Sequence, residues 1–382
     1  MEAALNQIKQ LAETADAKSR KVLKSALLKL VDSLEGPDDL VLRIGYLHLQ
    51  LAVIIIGIDL GLFARLVKAG GPLSVQELSQ ETGADVVLMN RLLRYLAANG
   101  AVDEVSRAQF QANRTTKNLT ERVTEVGLRH NFHTVCPEFQ ALPGFLKKTG
   151  YKNPEDELHT AFQDAFNTDM HPFAWFASHP DHMENFNDYM ALIRGSDSSW
   201  LSVYPVTEET KDWTDTERPL YVNVGGGIGH QCAEFKGKYP DIPGRVIVQD
   251  LPHIIEHAMS TPGVENLAHN FFEPQPVKGA RFYYMRGVLH DHPPHKIQLL
   301  LANIKSAMAE DSILLVDEFI LPETGVNADT AATDLTMMAA CASMERTQEQ
   351  WRDVFAKAGL QPGRTFSYNP GTYESVMEVR LK

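Results

Sequence analysis

The C-terminal half of the chain carries the residue types of a proton-transfer site. His290 lies in Met285-Arg286-Gly287-Val288-Leu289-His290-Asp291, just past the apolar run Arg281–Met285. An imidazole titrates near neutrality, so it is the natural group to take a proton from a weakly acidic hydroxyl. A phenol, with a pKa near ~10, gains ~10²- to 10⁴-fold in rate from a positioned base. Such a base needs a partner that fixes its tautomer. Two acids are candidates: Glu318, at the end of the run Ser312–Asp317, and Glu345, shortly before Thr347. Asp291 is a further acid, but adjacency in sequence usually points it elsewhere. Upstream is a ligand-binding pattern. The apolar run Leu220–Val224 leads into Gly225, Gly227 and Gly229, a helical stretch from about His230 to Tyr239, and a second apolar run that closes on Gln249 and Asp250. Glycines let backbone amides approach a ligand where a Cβ would clash, and the closing acid can accept from ribose hydroxyls. His230 stands where the dinucleotide fingerprint has its third glycine. The pattern G-x-G-x-G therefore suits a nucleoside ligand without a pyrophosphate.

These groups need a sheet to hold them. Strand, glycine loop, helix, strand, acid reads as a βαβ unit, and the rhythm continues with strands at Arg281–Met285 and Ser312–Asp317 around a helix from Lys296 to Ala309. A capping box at Thr347–Gln350 opens a helix that Gly359 ends, and two closing strands, about 364–368 and 375–381, flank a Pro-Gly turn. The expected fold is α/β: a Rossmann-like, mostly parallel sheet with a terminal antiparallel pair. The base falls at its carboxyl edge, where such sheets place their ligands.

The N-terminal part reads differently. Residues 1–35 form one or two amphipathic helices. Residues 39–69 are helical with apolar residues on nearly every face, which calls for a subunit interface or deep burial. The longest apolar run, Leu51–Ile58, is closed by Asp59 and is too short to span a bilayer, so it reads as buried helix. A capping box at Ser74–Glu77, a helix from Asp85 to Asn99 and two short strands make a winged-helix unit. Only Arg91 and Arg94 are basic on its second helix and Asp103 and Glu104 follow, so dimerisation is favoured over DNA binding. The boundaries expected are 1–120 for this unit, 121–200 for a helical linker rich in aromatic, Met and His residues, and 201–382 for the ligand-binding domain. In the linker His130 and His133 sit three apart on one helical face and can both look into a pocket. Met170, Phe176, Met190 and Arg194 are further candidates to line it, although a Met and aromatic stripe is more often core.

The formal net charge of −13 argues against a nucleic-acid partner. Three widely spaced cysteines suggest a reducing compartment, and the first thirty residues lack a secretory signal, so a cytoplasmic protein with no membrane partner is expected. No metal is expected at His290-x-His292-x-x-His295, because Pro293 and Pro294 break the segment and no cysteine is near.

The motifs VNVGGGIG, GRVIVQDLP, HNFFEPQP, MRGVLHD, LLVDEFILPE, TDLTMM and MERTQEQW resemble those of the plant-type small-molecule O-methyltransferases. That class I S-adenosylmethionine (SAM)-dependent family includes many fungal secondary-metabolite enzymes, and the likeness covers nearly the whole chain. It implies a methyltransferase domain with an N-terminal winged-helix dimerisation domain, SAM as cofactor, a small-molecule acceptor and a homodimer. It implies His290 as base, flanked by Glu318 and Glu345. It also implies that Gly225, Gly227, Asp250 and Leu251 contact SAM, with Asn270 and Phe271 at the adenine and Arg286 at the carboxylate end. Met337 and Asp291 would line the acceptor pocket. Three positions depart from the family pattern: Asn223 and Asn270 stand where Asp is common, and His292 where Trp is usual. The expected function is O-methylation of a phenolic or enolic metabolite. The alternative is a repurposed relative that keeps SAM as a fixed charge and carries out dehydration, cyclisation or pericyclic chemistry on a polyketide-derived substrate.

Overall fold

A computed structural model describes residues 1–193 and 199–382, and the side chains of all of these but 17, 18, 21 and 193. The chain divides into two units, Met1–Thr134 with Glu184–Ile193, and Val135–Met183 with Arg194–Lys382.

In the first unit, local sequence sets the element ends. Ser74 Oγ accepts from Glu77 N at 3.2 Å while the Glu77 carboxylate takes Ser74 N at 2.7 Å, and the helix Val75–Thr82 then stops at left-handed Gly83. Asp85 Oδ1 accepts from Val87 N and Leu88 N, both at 2.9 Å, to start the helix Val86–Ala98. Three short strands, β1 (Leu73–Ser74), β2 (Asp103–Ser106) and β3 (Gln109–Gln111), pair in the order β1-β3-β2 and complete the wing. Phe63, Leu66, Leu78, Met89, Leu93 and Phe110 form the core beneath them.

The helix Leu47–Asp59 buries only Val53, Ile55 and Gly57; Gly57 admits the Phe63 ring, which a Cβ would strike at 2.7 Å. Leu47, Leu49 and Ile56 are exposed, as are Leu40, Val41, Leu42 and Ile44 on the preceding helix Pro37–Gly45. Leu51–Ile58, expected to be buried helix, is buried or half-buried at every position but Ile56, and the other exposed apolar residues lie on the turns before it. A helix apolar on nearly every face cannot cover itself with one neighbouring surface. The helical run Pro37–Asp59, interrupted at Tyr46, is long and apolar enough by length and composition to cross a membrane.

The second unit is built on a twisted sheet. Its strands are β4 (Pro219–Val224), β5 (Arg245–Asp250), β6 (Val264–Ala268), β7 (Phe282–Arg286), β8 (Ile313–Leu321), β9 (Arg346–Thr347), β10 (Leu360–Asn369) and β11 (Glu374–Leu381). They run in the order β10-β11-β8-β7-β4-β5-β6, with β9 beside the end of β8. From β6 to β8 all pairs are parallel, while β11 and β10 are antiparallel. Burial on both faces follows from the period of two. Tyr221, Val246, Val248, Phe282 and Tyr284 face Trp200 and Phe235, whereas Val222, Ile247, Tyr283 and Met285 face Leu300, Trp351 and Phe355. The chain leaves β4 for β5 on one side and returns to β7 on the other, so the sheet reverses direction at β4. That opens a crevice at the carboxyl edge.

Two expectations shift. β6, with the sequence Val-Glu-Asn-Leu-Ala, lacks a strand's alternation and was not anticipated. β8 runs on to Leu321, so Glu318 lies within the strand rather than after it.

Candidate active site

The glycine loop leaves β4 through Gly225 (φ +67°), Gly227 (φ +58°) and Gly229 (φ +97°), a backbone that side chains rarely tolerate. A Cβ on Gly225 would meet Val288 Cγ2 at 2.9 Å and the Phe271 ring at 3.5 Å, so loop, Phe271 and the turn before His290 converge. A Cβ on Gly227 would meet nothing within 4 Å, which leaves open space over the loop for a ligand. Asn223 is buried below the loop, its amide packed where a Gly226 Cβ would fall.

Asp250 closes β5. Its Oδ2 accepts from Gly227 N at 2.7 Å and its Oδ1 from Leu251 N at 2.8 Å. Burial raises the carboxyl pKa, and the two amides offset only part of that rise. The carboxylate thereby ties the loop to the next strand and keeps lone pairs for ribose hydroxyls. Leu251 is partly exposed beside it. Asn270 Oδ1 accepts from Phe272 N at 3.0 Å, a local turn that sets the direction of Phe271. His292 packs edge-on to Phe271 and Phe272, with ring centroids 5.5 Å and 5.0 Å away. Burial lowers its pKa to about 3, so the ring that replaces the family's Trp is neutral.

The candidate base is more tightly specified. His290 Nδ1 lies 2.7 Å from Glu345 Oε1, and both residues are buried. With its Nδ1 proton donated to Glu345, a neutral ring carries its lone pair on Nε2, which sits 3.4 Å from Asp291 Oδ1. Of the two acids considered as the orienting partner, the structure gives that contact to Glu345. Glu318 acts on the backbone: its Oε1 accepts from Val288 N at 3.1 Å and Leu289 N at 2.8 Å and so pins the turn that presents the imidazole. Burial alone would keep His290 neutral, but the carboxylates of Asp291, Glu345 and Glu318 outweigh it and raise its pKa to about 10. Glu318 itself is pushed up to about 7 by burial.

Arg286, at the end of β7, reaches Glu374 Oε1 at 3.1 Å and lies 3.8 Å from Asp317 Oδ2. Asp317 in turn accepts from the hydroxyls of Tyr284 (2.6 Å) and Tyr368 (2.8 Å). Sequence reading missed this network. Tyr284 and Asp317 are buried like their neighbours on β7 and β8, so no alternation marks them in the sequence.

The remaining sequence candidates fall as follows. His130, His133 and Met190 belong to the first unit. His130 is buried with its ring 5.6 Å from that of Phe186, while His133 is exposed, because Asn131–Val135 winds as a π-helical turn. The shared face expected from three-residue spacing is therefore corrected: a wider turn moves His133 off it. Met190 is half-buried. In the second unit Phe176 is core, edge-on to Phe162 and Trp175, Met170 is exposed, and Met337 is half-buried on the helix Ala328–Cys341. Arg194 lies outside the described residues.

With this geometry in hand, the likeness to known proteins is informative. The O-methyltransferase domain family matches residues 153–361, and the O-methyltransferase dimerisation domain family matches residues 47–122. The chain belongs to the O-methyltransferase family. It is 40% identical to the O-methyltransferase lepI of Aspergillus flavus, over 98% of this chain and 97% of the relative. It is 36% identical to the demethylsterigmatocystin 6-O-methyltransferase of Aspergillus parasiticus, over 94% of this chain and 93% of the relative. Among solved structures, LepI in complex with SAM superposes with a TM-score of 0.91 at 38% identity, covering 100% of this chain and 98% of that one. A structure described as a pericyclic reaction enzyme superposes equally well, with a TM-score of 0.91 at 38% identity over 100% of this chain and 99% of that one.

Proposed function

We propose that this enzyme transfers the methyl group of SAM to a hydroxyl oxygen of a phenolic or enolic small molecule, with His290 as the base. The observation that carries this reading is the buried His290–Glu345 contact of 2.7 Å on a turn that Glu318 pins beside the glycine loop. Bound SAM supplies an electrophilic methyl on a sulfonium sulfur. Gly225, Gly227, Asp250 and Phe271 have the shape and donor set to hold its nucleoside, and Arg286 to hold its carboxylate. His290 Nε2 would take the hydroxyl proton of the acceptor as its oxygen displaced the methyl from the sulfonium sulfur.

A pKa of about 10 means that the cofactor-free enzyme holds His290 as an imidazolium. A cation placed nearby opposes that charge and lowers the pKa. Cofactor binding therefore favours the neutral, basic ring. The acceptor class is an aromatic or enolic secondary metabolite. The exposed apolar face of Pro37–Asp59 seats a second copy of the chain, and three free cysteines suit a reducing cytoplasm.

Incubation with methyl-labelled SAM and candidate acceptors tests the proposal: labelled product and S-adenosylhomocysteine should form together. A second reading draws on the imidazolium of the cofactor-free enzyme and on the relative described as a pericyclic reaction enzyme. There the cofactor stays intact and His290 donates a hydrogen bond. SAM-dependent turnover without S-adenosylhomocysteine selects that reading and rejects methyl transfer.

A further inference from the structure

Glu374 opens β11, the second strand of the C-terminal hairpin, and both of its carboxylate oxygens are committed. Its Oε1 accepts from Arg286 Nη2 at 3.1 Å, while its Oε2 accepts from Asn369 Nδ2 and Thr372 Oγ1, both at 2.8 Å. The turn that carries these two donors is itself fastened. Asn327 donates its backbone N–H to the Tyr373 hydroxyl and its Nδ2 to Gly371 O, both at 3.2 Å. Tyr373 holds a left-handed backbone (φ +65°), which a non-glycine residue keeps only where its surroundings over-determine it. The acid that follows is thus fixed on Arg286, 88 positions upstream.

Arg286 is caught between acids of two strands. Nη2 goes to Glu374 on β11, and Nε lies 3.8 Å from Asp317 on β8, which the hydroxyls of Tyr284 and Tyr368 hold at 2.6 Å and 2.8 Å. Tyr368 is on β10, so the hairpin supports both acids. Nη1 is left over: it has no partner among the described residues and is not sealed from solvent. With two carboxylates facing one guanidinium, this spare donor recognises a ligand by its direction rather than by surplus charge. It stands at the glycine loop. Asn223 pairs with Tyr284 across β4 and β7, and Gly225 and Arg286 each lie two residues further along. Arg286 shares a face of β7 with Tyr284, by the period of two. On that face the Tyr284 hydroxyl lies 3.4 Å from Gln231 Oε1, on the helix His230–Lys238 that the loop enters.

We propose that Glu374 is a positioning residue that aims Nη1 of Arg286 at the carboxylate on the amino-acid end of the cofactor, which brings the C-terminal hairpin into cofactor recognition. This rests on the reading of Arg286 given above and adds the residue that sets its direction. Without Glu374 the guanidinium is free to close the 3.8 Å gap to Asp317 and turn away from the loop.

The test titrates the full chain by calorimetry with S-adenosylhomocysteine and with methylthioadenosine, a nucleoside thioether that lacks the amino-acid end. Native protein should bind S-adenosylhomocysteine at least about tenfold more tightly than methylthioadenosine. Glu374→Ala should weaken S-adenosylhomocysteine about tenfold and leave methylthioadenosine unchanged. Glu374→Gln keeps an oxygen for Arg286 and should recover most of that loss. If Glu374→Ala does not fold, Thr372→Val, which removes one of the donors that hold Glu374, should weaken S-adenosylhomocysteine about threefold and spare methylthioadenosine. Unchanged or tighter S-adenosylhomocysteine binding in Glu374→Ala or Thr372→Val, an equal loss for both ligands, or no recovery with Glu374→Gln overturns the proposal. Arg286→Met checks the reading beneath it and should bring S-adenosylhomocysteine down to the level of methylthioadenosine. A preference that is absent from the native protein, or that survives Arg286→Met, refutes the role of Arg286. Binding of neither ligand refutes the cofactor itself, and either result takes the proposal with it.

Discussion

The two units treat unsatisfied surface in opposite ways. At the carboxyl edge of the sheet, charged groups are buried and find their partners within the chain: His290 with Glu345, Glu318 with two backbone amides, Arg286 with Glu374. On Pro37–Asp59, apolar groups stand exposed and find no cover among the described residues. A buried charge must be paired by the chain that buries it, because leaving it unpaired costs several kcal/mol. An exposed Leu costs far less and can wait for another surface. The His290–Glu345 pair and its bracing are thus satisfied within one chain, while part of the exposed apolar face lies in the segment that the dimerisation-domain family matches.

Breaking each side in turn tests that contrast. The largest effect is expected at the base. His290→Ala should lower kcat by two or more decades while the SAM Kd, measured by calorimetry, stays nearly unchanged. Weak loss of rate would remove the assignment.

The apolar side comes next. Leu47→Glu combined with Ile56→Glu should weaken self-association at least a hundredfold by light scattering, since each fully buried side chain contributes about 1.5–3 kcal/mol. SAM binding should survive. An unchanged mass would show that another surface holds the copies together.

Gly225→Ala places a Cβ 2.9 Å from Val288 Cγ2 at a positive φ, and should weaken SAM binding about tenfold or more by calorimetry.

Electrostatics sharpen the comparison further. With SAM saturating, kcat/KM for the acceptor should rise with pH as His290 loses its proton and level off below about 10, because the bound sulfonium lowers that pKa. Glu345→Gln removes a charge that favours the imidazolium, so the rising limb should move to lower pH, by about one unit. A limb that stays in place would mean that another group titrates.

The smallest effect lies in the wing: Ser74→Ala should cost about 1 kcal/mol of stability, read by denaturant melts, with activity unaltered.

Much of this was legible from local pattern. Glycines at 225, 227 and 229 between two apolar runs, with an acid closing the second, require only backbone sterics and short-range hydrogen bonding. The capping boxes at Ser74 and Thr347 are likewise written within four residues. β6 was not legible because Val264–Ala268 is a strand by virtue of pairing with β5, not through its own alternation. For residues 39–69 the sequence left a subunit interface and deep burial both open, because an all-apolar helix reads the same whether its own chain or another covers it.

Sequence alone determined the order of elements, the loop that can cradle a nucleoside and the identity of the candidate base, since each depends on neighbours within a turn or a strand. Only tertiary structure decided that Glu345 rather than Glu318 orients the imidazole, that Glu318 braces the backbone instead, and that Arg286 meets an acid on the last strand. Those choices join residues 29 to 88 positions apart. The distance between them is set by how the strands order themselves in the sheet, which no local spacing encodes.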